Sequence, residues 1–364
     1  MFIQTMPMEE ERQKMGWHEK EKPSYVHCFY EEEAFCREKI EEADVVLFGG
    51  VSDESFIEKR LQEKKPVIRV DERMYKEAQW KAISPRGLLK KYKDHTRYKN
   101  DPVYFLCAGA YVADDLNIIK AYPGKKFCWG YFPPTKEYDV DHLMKEKKKE
   151  VPELMWAARM IDWKHPELAI YGAKYLKEQG IPFHLNMIGG GPLEEQVKAL
   201  IKEAGLEEQV TLLGFQPPET VRAFMEQADI FLMTSDRKEG WGAVANEAMN
   251  SGCALLADVM TGAAPCLIKH KENGMIYKSG DRQMFAECLK ELVLNGSLRD
   301  QMGRSAYETI VTTWNADYAA KELLHLIRTV VLKNRKVYSK EAIFAPCLPA
   351  PVISEKKMFQ LITK

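Results

Sequence analysis

The sequence has little of what marks membrane-spanning, metal-binding or nucleic-acid-binding proteins. No run of apolar residues is long enough to cross a bilayer, and residues 1–22 contain no apolar core of a secretory signal. The eight cysteines form no CxxC pair and no metal-ligand spacing. A net charge of −1 argues against binding nucleic acid through the overall charge. We therefore expect a cytoplasmic protein with reduced thiols and without a metal, a cofactor or a nucleic-acid partner.

What the sequence does have is a regular alternation of strand and helix patterns, which favours parallel sheets. Its 364 residues are 45% apolar, enough to build more than one core. We predict an α/β protein of two facing Rossmann-like domains with a ligand cleft between them. The predicted parts are an amino-terminal domain with a linker (1–150), a carboxyl-terminal domain (151–332) and a tail (333–364). The linker is assigned to the proline- and lysine-rich stretch 132–150, and the tail is predicted to be irregular beyond residue 333.

Two glutamates eight positions apart are the most informative residues. Glu239 lies in a loop after the apolar run 230–233, and Glu247 lies in the helical pattern 243–249. A strand, a loop and a helix in that order place both near the carboxyl end of a parallel sheet, where such sheets bind ligands. Paired carboxylates there suit a ligand rich in hydroxyls, such as a sugar or a ribose. Either could instead stabilise a helix start, but Glu247 has apolar neighbours and should need a partner.

Several motifs, in a fixed order between residues 153 and 281, resemble the family 4 retaining glycosyltransferases, which have the GT-B fold. The motifs are ARMIDWK at 158–164, IGGGPL at 188–193, LGF at 213–215, the pair Glu239 and Glu247, NG at 273–274 and GD at 280–281. The resemblance implies transfer of a sugar, with retention of anomeric configuration and without a metal, from a UDP- or GDP-sugar to a glycan, lipid-linked or protein acceptor. It implies two Rossmann-like domains, with the last helix crossing back to the first domain.

The resemblance also assigns roles to individual residues. Arg159 and Lys164 would bind the donor phosphates, and Glu239 would hold the hydroxyls of the transferred sugar; these three are the predicted catalytic residues. Without the resemblance, Arg159 and Lys164 would be interpreted as solvated surface cations. The predicted donor-binding residues are Gly190, Gly191, Gly214, Phe215, Gly240, Trp241, Gly242, Glu247 and Gly262. Glu247 would bind the ribose hydroxyls, while core packing remains the better interpretation of the Trp241 ring.

This chain departs from the family pattern at two positions of the donor half. Gly190 stands where the family usually has an acid. Cys266 replaces an acid in the loop after Asp258, and we expect an inert thiol there rather than a reactive one. Together with the faint likeness of the amino-terminal half, the Cys266 loop motivates a second hypothesis. On that hypothesis the protein is a catalytically idle GT-B-like subunit that supports a partner glycosyltransferase.

Acceptor-side residues are harder to identify in the amino-terminal half. Asp71 and Glu72 follow the predicted strand 66–70, so either could bind acceptor hydroxyls or stabilise positive charge on the sugar; both could equally cap a helix. The segment 81–99 is basic, with interleaved leucines and tyrosines. A solvated basic face is the favoured interpretation. The alternatives are contact with the inner face of an anionic membrane or with a pyrophosphate-bearing lipid acceptor.

Overall fold

The structure is a computed structural model. It describes residues 1–8, 22–77, 79, 84–147, 150–333 and 343–363. Four sequence predictions fall partly outside these ranges: the absence of a signal core (9–21), the start of the basic segment (81–83), the end of the linker (148–149) and the first part of the tail (334–342).

The amino-terminal domain is built on a parallel sheet. Strands β1 (Phe2–Gln4) and β2 (Val26–Cys28) form a separate parallel pair. The main sheet has the order β3 (Val46–Gly49), β4 (Val67–Asp71), β5 (Val103–Ala108) and β6 (Lys126–Trp129). Every residue of β5 is buried, as expected of a strand covered on both faces. The helices of this half are α1 (Glu33–Glu42), α2 (Glu58–Gln62), α3 (Pro85–Asp94), α4 (Val112–Ile118) and α5 (Val140–Glu146).

The carboxyl-terminal domain has a six-stranded parallel sheet. Its strands are β7 (Glu153–Ala157), β8 (His184–Ile188), β9 (Val210–Leu212), β10 (Ile230–Met233), β11 (Ala254–Asp258) and β12 (Gly274–Tyr277). Their spatial order is β9-β8-β7-β10-β11-β12, the order of a doubly wound Rossmann sheet. The direction of winding reverses between β7 and β10, and open α/β sheets bind ligands at that switch point.

Helices cover both faces of this second sheet. They are α6 (Pro166–Glu178), α7 (Glu194–Glu203), α8 (Pro218–Gln227), α9 (Val244–Asn250), α10 (Ala264–Leu267), α11 (Arg282–Leu294), α12 (Gly296–Thr312) and α13 (Ala316–Leu326). Two large apolar clusters fill the space between sheet and helices. In the described part of the chain, no helix is both long and apolar enough to cross a bilayer.

Part of the predicted linker is a helix that packs on the carboxyl-terminal domain. Asp139 caps α5 by accepting hydrogen bonds from the backbone of residues 141 and 142. Leu143 and Met144 of this helix are buried, and Met144 lies against Gly303 of α12. Two apolar residues in a lysine-rich stretch are too few to predict the helix from the sequence. Their burial is nevertheless enough to hold the helix against the carboxyl-terminal domain.

The chain returns to the amino-terminal domain after α13. Leu326, Val330 and Val331 pack against the main sheet of that domain. The backbone of residues 347–350 then hydrogen-bonds with β6. The prediction of an irregular tail is wrong for its last part, because α14 (Glu355–Ile362) is a helix whose Met358 is buried.

Candidate active site

The two loops at the switch point meet through an ion pair. Lys164 ends a short 3₁₀ turn that follows β7, and Glu239 lies in the loop that follows β10. The ammonium of Lys164 donates to Oε2 of Glu239, and only 15% and 16% of the two side chains are exposed. The structure therefore places two of the three predicted catalytic residues in direct contact at the carboxyl end of the sheet.

The glycine turn after β8 packs against the loop that carries Arg159. Gly189 has a φ of 121°, and a β-carbon there would lie 1.9 Å from the carbonyl oxygen of Ala158. The backbone of Met160 donates to the carbonyl of Gly190 (2.8 Å). No side chain fits at Gly189, so backbone lines this corner. Arg159 is exposed beside it, and in the described ranges its guanidinium makes no ion pair or hydrogen bond.

An exposed aromatic ring stands at the neighbouring strand end. Phe215 is 66% exposed, and it follows Gly214, whose φ is 63°. Its ring lies next to Gly190, where a β-carbon would come within 2.9 Å of it. An exposed flat ring beside a glycine turn has the shape to stack on a nucleobase.

Glu247 is half-buried in α9, and burial raises the pKa of its carboxyl while the nearby Arg222 opposes that shift. The sequence predicted a partner for this carboxylate. In the described part of the chain none is found within hydrogen-bonding distance, and the guanidinium of Arg222 donates instead to Asn250. The half-exposed carboxylate of Glu247 can therefore accept hydrogen bonds from solvent or from a ligand.

Three loop backbones from both domains meet behind Glu239. The backbone of Ala110 donates to the carbonyl of Gly262 across the domain boundary (3.0 Å). A β-carbon at Gly262 would lie 1.7 Å from the carbonyl oxygen of Gly240, and one at Gly109 would lie 2.6 Å from it. This junction explains the glycines at 109 and 262 without a ligand. Gly109 follows a fully buried strand, a signal that the sequence analysis missed.

The ring of Trp241 is not available to a ligand. It is fully buried, its Nε1 donates to Oδ1 of Asn246 (2.9 Å), and it packs against Trp314. The assignment of Trp241 as a donor-binding side chain is therefore wrong, and the core interpretation is right. The next residue, Gly242, has a φ of 92°, and a β-carbon there would lie 2.2 Å from Met233.

Asp71 is the last residue of β4, and Glu72, which follows it, lies against the donor loop. A carboxylate oxygen of Glu72 lies so close to Gly240 that a β-carbon there would be 1.9 Å away. Glu72 accepts hydrogen bonds from the hydroxyl of Tyr131 (2.8 Å) and from Lys76 (2.5 Å). Burial raises the pKa of Asp71. No helix begins in the described residues 72–77, so a capping role for either acid has no support there.

Cys266 is buried, and burial raises the pKa of its thiol well above the ordinary value. A thiol that stays protonated is a poor nucleophile, so the expectation of an inert residue agrees with the structure.

Comparison with known proteins adds a family to this geometry. Residues 139–309 match the family model "Glycosyl transferases group 1". The chain is 31% identical over 179 residues to the amylovoran biosynthesis glycosyltransferase AmsK of Erwinia amylovora, across 48% of this chain and 44% of that protein. It is 24% identical over 185 residues to a GDP-mannose-dependent phosphatidylinositol monomannoside mannosyltransferase of Mycobacterium tuberculosis, across 49% and 48%. The matches thus span less than half of these relatives.

The fold is shared more widely than the sequence. A UDP complex of HepE from Anabaena superposes with a TM-score of 0.62 at 14% identity, covering 83% of this chain and 86% of that one. A glycosyltransferase from Rickettsia africae gives 0.59 at 15% identity, covering 89% and 88%. The GT-B architecture is therefore confirmed for the chain, and the resemblance to the family 4 glycosyltransferases is confirmed through the matched segment.

Proposed function

Because residues 139–309 match the family model of the glycosyl transferases group 1, we propose that the protein is a glycosyltransferase. It transfers the sugar of a UDP-sugar or GDP-sugar to a glycan, lipid-linked or protein acceptor, and it retains the anomeric configuration. The observation that carries this proposal is the contact of Lys164 with Glu239 at the switch point of the sheet. UDP and GDP are proposed because the Anabaena structure contains UDP and the mycobacterial relative is named for GDP-mannose.

The ion pair gives each partner a role when a donor enters. Cleavage of the bond between the anomeric carbon and the phosphate oxygen leaves negative charge on the nucleoside diphosphate. Lys164 and the exposed Arg159 meet that charge in a partly dehydrated cleft, where a fixed cation acts most strongly. Glu239 turns from Lys164 to accept hydrogen bonds from the sugar hydroxyls. With two cations on the phosphates, we propose a reaction that needs no metal.

Retention follows when the acceptor attacks from the face that the diphosphate leaves. The departing phosphate oxygen then takes the proton of the acceptor hydroxyl, so a separate protein base is not required. Glu72 and Asp71 lie on the opposite wall of the cleft, with Glu72 against Gly240. We propose that these acids orient the acceptor hydroxyls or stabilise the positive charge that grows on the sugar. Stabilising positive charge needs the acids ionised, and desolvation, which raises the pKa of Asp71, acts against that.

The nucleotide would lie along the ends of β8 and β9. Phe215 would stack on the base beside Gly190 and Gly191. Glu247, which has no hydrogen-bonding partner in the described chain, would accept both ribose hydroxyls. On this assignment the two acids bind different parts of one donor. Glu247 binds the nucleoside, and Glu239 binds the sugar.

A nucleotide screen tests the proposed function. We expect UDP or GDP, but not ADP, to raise the melting temperature, and the matching nucleotide sugar to be transferred or slowly hydrolysed. Glu247→Leu should weaken nucleoside diphosphate binding by about tenfold or more, since a hydrogen bond to a charged group contributes about 1.5–3 kcal/mol. The measurement is a thermal shift together with titration calorimetry.

Glu291 of α11, which pairs with Lys271 at the surface, offers a matched control, and Glu291→Gln should bind as the wild type does. If a nucleotide binds but no donor is ever cleaved, the protein is the idle subunit of the second hypothesis. If no nucleotide raises the melting temperature, the donor site does not exist.

We further propose that α3 rests on an anionic membrane surface and that the acceptor is lipid-linked. None of the residues of α3 is buried, and Leu88, Leu89 and Tyr92 are 43%, 57% and 56% exposed. These apolar side chains share the helix with Lys90 and Lys93, a composition that suits an interfacial helix. The charge of Lys91 in α3 also acts on Asp71, so the helix borders the acceptor wall.

Vesicle sedimentation checks this contact. Leu88→Glu with Leu89→Glu should reduce binding to vesicles that contain phosphatidylglycerol by about tenfold or more, because burying each leucine contributes about 1.5–3 kcal/mol. The control pair is Leu294→Glu with Leu324→Glu, at two exposed leucines of the other domain. Equal binding by all variants, or equal binding to neutral phosphatidylcholine, would favour a solvated basic face instead.

A further inference from the structure

A histidine adopts a left-handed backbone next to Lys164. His165 has φ 47° and ψ 55° and lies between the 3₁₀ turn that ends at Lys164 and the start of α6. Residues with a β-carbon are strained in this region, and glycine is the residue that adopts it freely. Backbone strain of this kind persists only where other contacts compensate for its cost, so we expect the His165 side chain to make such contacts.

The ring of His165 is held between two carboxylates. Its Nε2 lies 3.3 Å from Oδ2 of Asp236, and its Nδ1 lies 2.8 Å from Oε1 of Glu167. Hydrogen bonds to Asp236 and then to Glu167 raise the pKa of His165 to about 10, against the opposing effect of burial. At neutral pH both ring nitrogens therefore carry protons, and each donates one to a carboxylate.

Asp236 joins this ring to the loop that carries Glu239. Its backbone nitrogen donates to the carbonyl of Trp163 (2.9 Å), and its own carbonyl accepts from the backbone of Glu239 (3.1 Å). Its Oδ1 accepts from the backbone of Lys238 (2.8 Å), which leaves Oδ2 for His165. One residue thus contacts the loop of Lys164 and the loop of Glu239 with both its backbone and its carboxylate.

We propose that His165 and Asp236 are positioning residues that hold Lys164 and Glu239 in register for the transfer of the sugar. We call the pair the loop clamp. This inference rests on the proposed function, since it concerns the same two side chains. The clamp touches neither donor nor acceptor. It acts by fixing the backbone from which the cation and the acid project, and an error of an ångström in such a placement is costly.

Other titratable groups face the loop clamp from neighbouring elements. Glu167 lies on α6, Lys238 on the loop of Asp236, Asp258 at the end of β11 and Tyr277 on β12. Burial raises the pKa of Asp258 to about 7, so Asp258 is partly protonated near neutrality. Below that value Asp258 adds little negative charge, and Asp236 with Glu167 remain the acids bonded to His165.

The sign of the pH dependence follows from the raised pKa of His165. The stability that the loop clamp adds is complete below the ordinary pKa of 6.5 and is lost as the pH rises through about 10. Over that interval the folded protein keeps a proton that the unfolded chain releases. Activity that depends on the loop clamp should therefore persist at pH 8 and fall on the alkaline side.

His165→Gly separates the backbone of this residue from its ring. Glycine removes the left-handed strain, which offsets part of the stability lost with the two hydrogen bonds of the ring, so the melting temperature should fall only slightly. Loss of the ring should lower kcat by about tenfold, with less than a twofold change in the donor KM. His165→Asn, which tolerates this backbone and keeps one donor for Asp236, should recover part of the rate. The control is His184→Gln, at a histidine that pairs with Glu153 at the opposite end of the sheet, and it should leave kcat unchanged.

NMR of the imidazole tests the contact without an assay of activity. In the wild type, His165 should titrate near pH 10, and in Asp236→Asn its pKa should fall toward the ordinary value, because the hydrogen bond that raises it most is lost. Amide exchange of the loops of Lys164 and Glu239 should quicken in both Asp236→Asn and His165→Gly. A wild-type imidazole that titrates near 6.5, or a glycine variant with full kcat, overturns the inference. Wild-type protein that shows the raised pKa but cleaves no nucleotide sugar overturns the proposed function instead.

Discussion

Lys164→Ala is expected to lower kcat for sugar transfer by about 10²–10³-fold, the range seen when a single donor to a developing oxyanion is removed. In the resting protein the ammonium of Lys164 is held by Glu239, and both side chains are largely buried. When the donor enters, its phosphates compete with Glu239 for this cation. The diphosphate gains negative charge as the glycosidic bond breaks, so the interaction strengthens in the transition state and kcat falls more than KM changes.

The leaving group supplies the sharpest check of this role. A donor whose leaving group needs little charge stabilisation, such as a glycosyl fluoride supplied with free nucleoside diphosphate, should be used by Lys164→Ala with a much smaller loss. Lys174→Ala changes an exposed lysine on α6 that lies near Glu178, and it should behave as the wild type with both donors. Equal losses with both donors would show that Lys164 acts through the fold and not on the phosphate.

A change in stability has to be separated from the change in rate. Removing Lys164 leaves the carboxylate of Glu239, which is largely buried, without its ion-pair partner, and breaking a pair in this way costs more than the pair contributes. Lys164→Ala should therefore melt at a lower temperature than the wild type. Saturating nucleoside diphosphate should not restore the rate even where it restores the melting temperature.

Most of the second sheet could be predicted from the sequence because its strands are short and mostly apolar, with the fully apolar Ile230–Met233 as the clearest case. The sequence pattern predicts strands over 229–233 and 254–257, and the observed strands Ile230–Met233 and Ala254–Asp258 each differ by one residue. The pattern also predicts a strand over 153–160, but β7 ends at Ala157. There the backbone of Met160 pairs with Gly190 and Leu193 and leaves the sheet. That pairing depends on a turn thirty residues away, which local patterns do not contain.

Some residues of the site could be predicted from local sequence patterns, and others depend on contacts between distant parts of the chain. The spacing of Glu239 and Glu247 and the order of the motifs placed both acids on one edge of the sheet. Tyr131, which donates a hydrogen bond to Glu72, follows β6 in the amino-terminal domain. The sequence around Tyr131 contains no pattern that predicts this contact. His165 was also missed, because a left-handed backbone in a histidine follows from contacts with Asp236 and Glu167 rather than from a turn sequence.

Burial decided the competing interpretations of Trp241, while the ligand-binding role of Glu247 stays a prediction. The sequence placed Trp241 beside a ligand loop, but a ring of that size lowers the free energy most by filling the core, where its Nε1 finds Asn246. Glu247 shows the opposite case. Its neighbours are buried and its carboxylate has no hydrogen-bonding partner in the described chain, a cost that a ligand would offset. The two residues lie in the same segment, and only the packing distinguishes them.

Glu239→Gln is expected to lower kcat/KM for the nucleotide sugar by about 10²-fold, since a hydrogen bond to a charged group contributes about 1.5–3 kcal/mol and this acid would accept two. The same variant should bind free UDP or GDP as tightly as the wild type, because the acid would touch only the sugar. Calorimetry with the nucleotide and with its sugar separates the two effects.

Glu239→Gln and Glu247→Leu should therefore fail in opposite ways. Glu239→Gln should bind the free nucleotide normally but bind the nucleotide sugar weakly. Glu247→Leu should bind the free nucleotide itself weakly. Glu195→Gln, at an exposed acid in the first turn of α7, should change neither. The backbone of Glu239 is fixed by Asp236 and Gly262, so glutamine keeps the shape of the loop and alters only the charge. If Glu239→Gln weakened free nucleotide as much as nucleotide sugar, the acid would act by holding Lys164 in place, and the sugar would have to be bound by other residues.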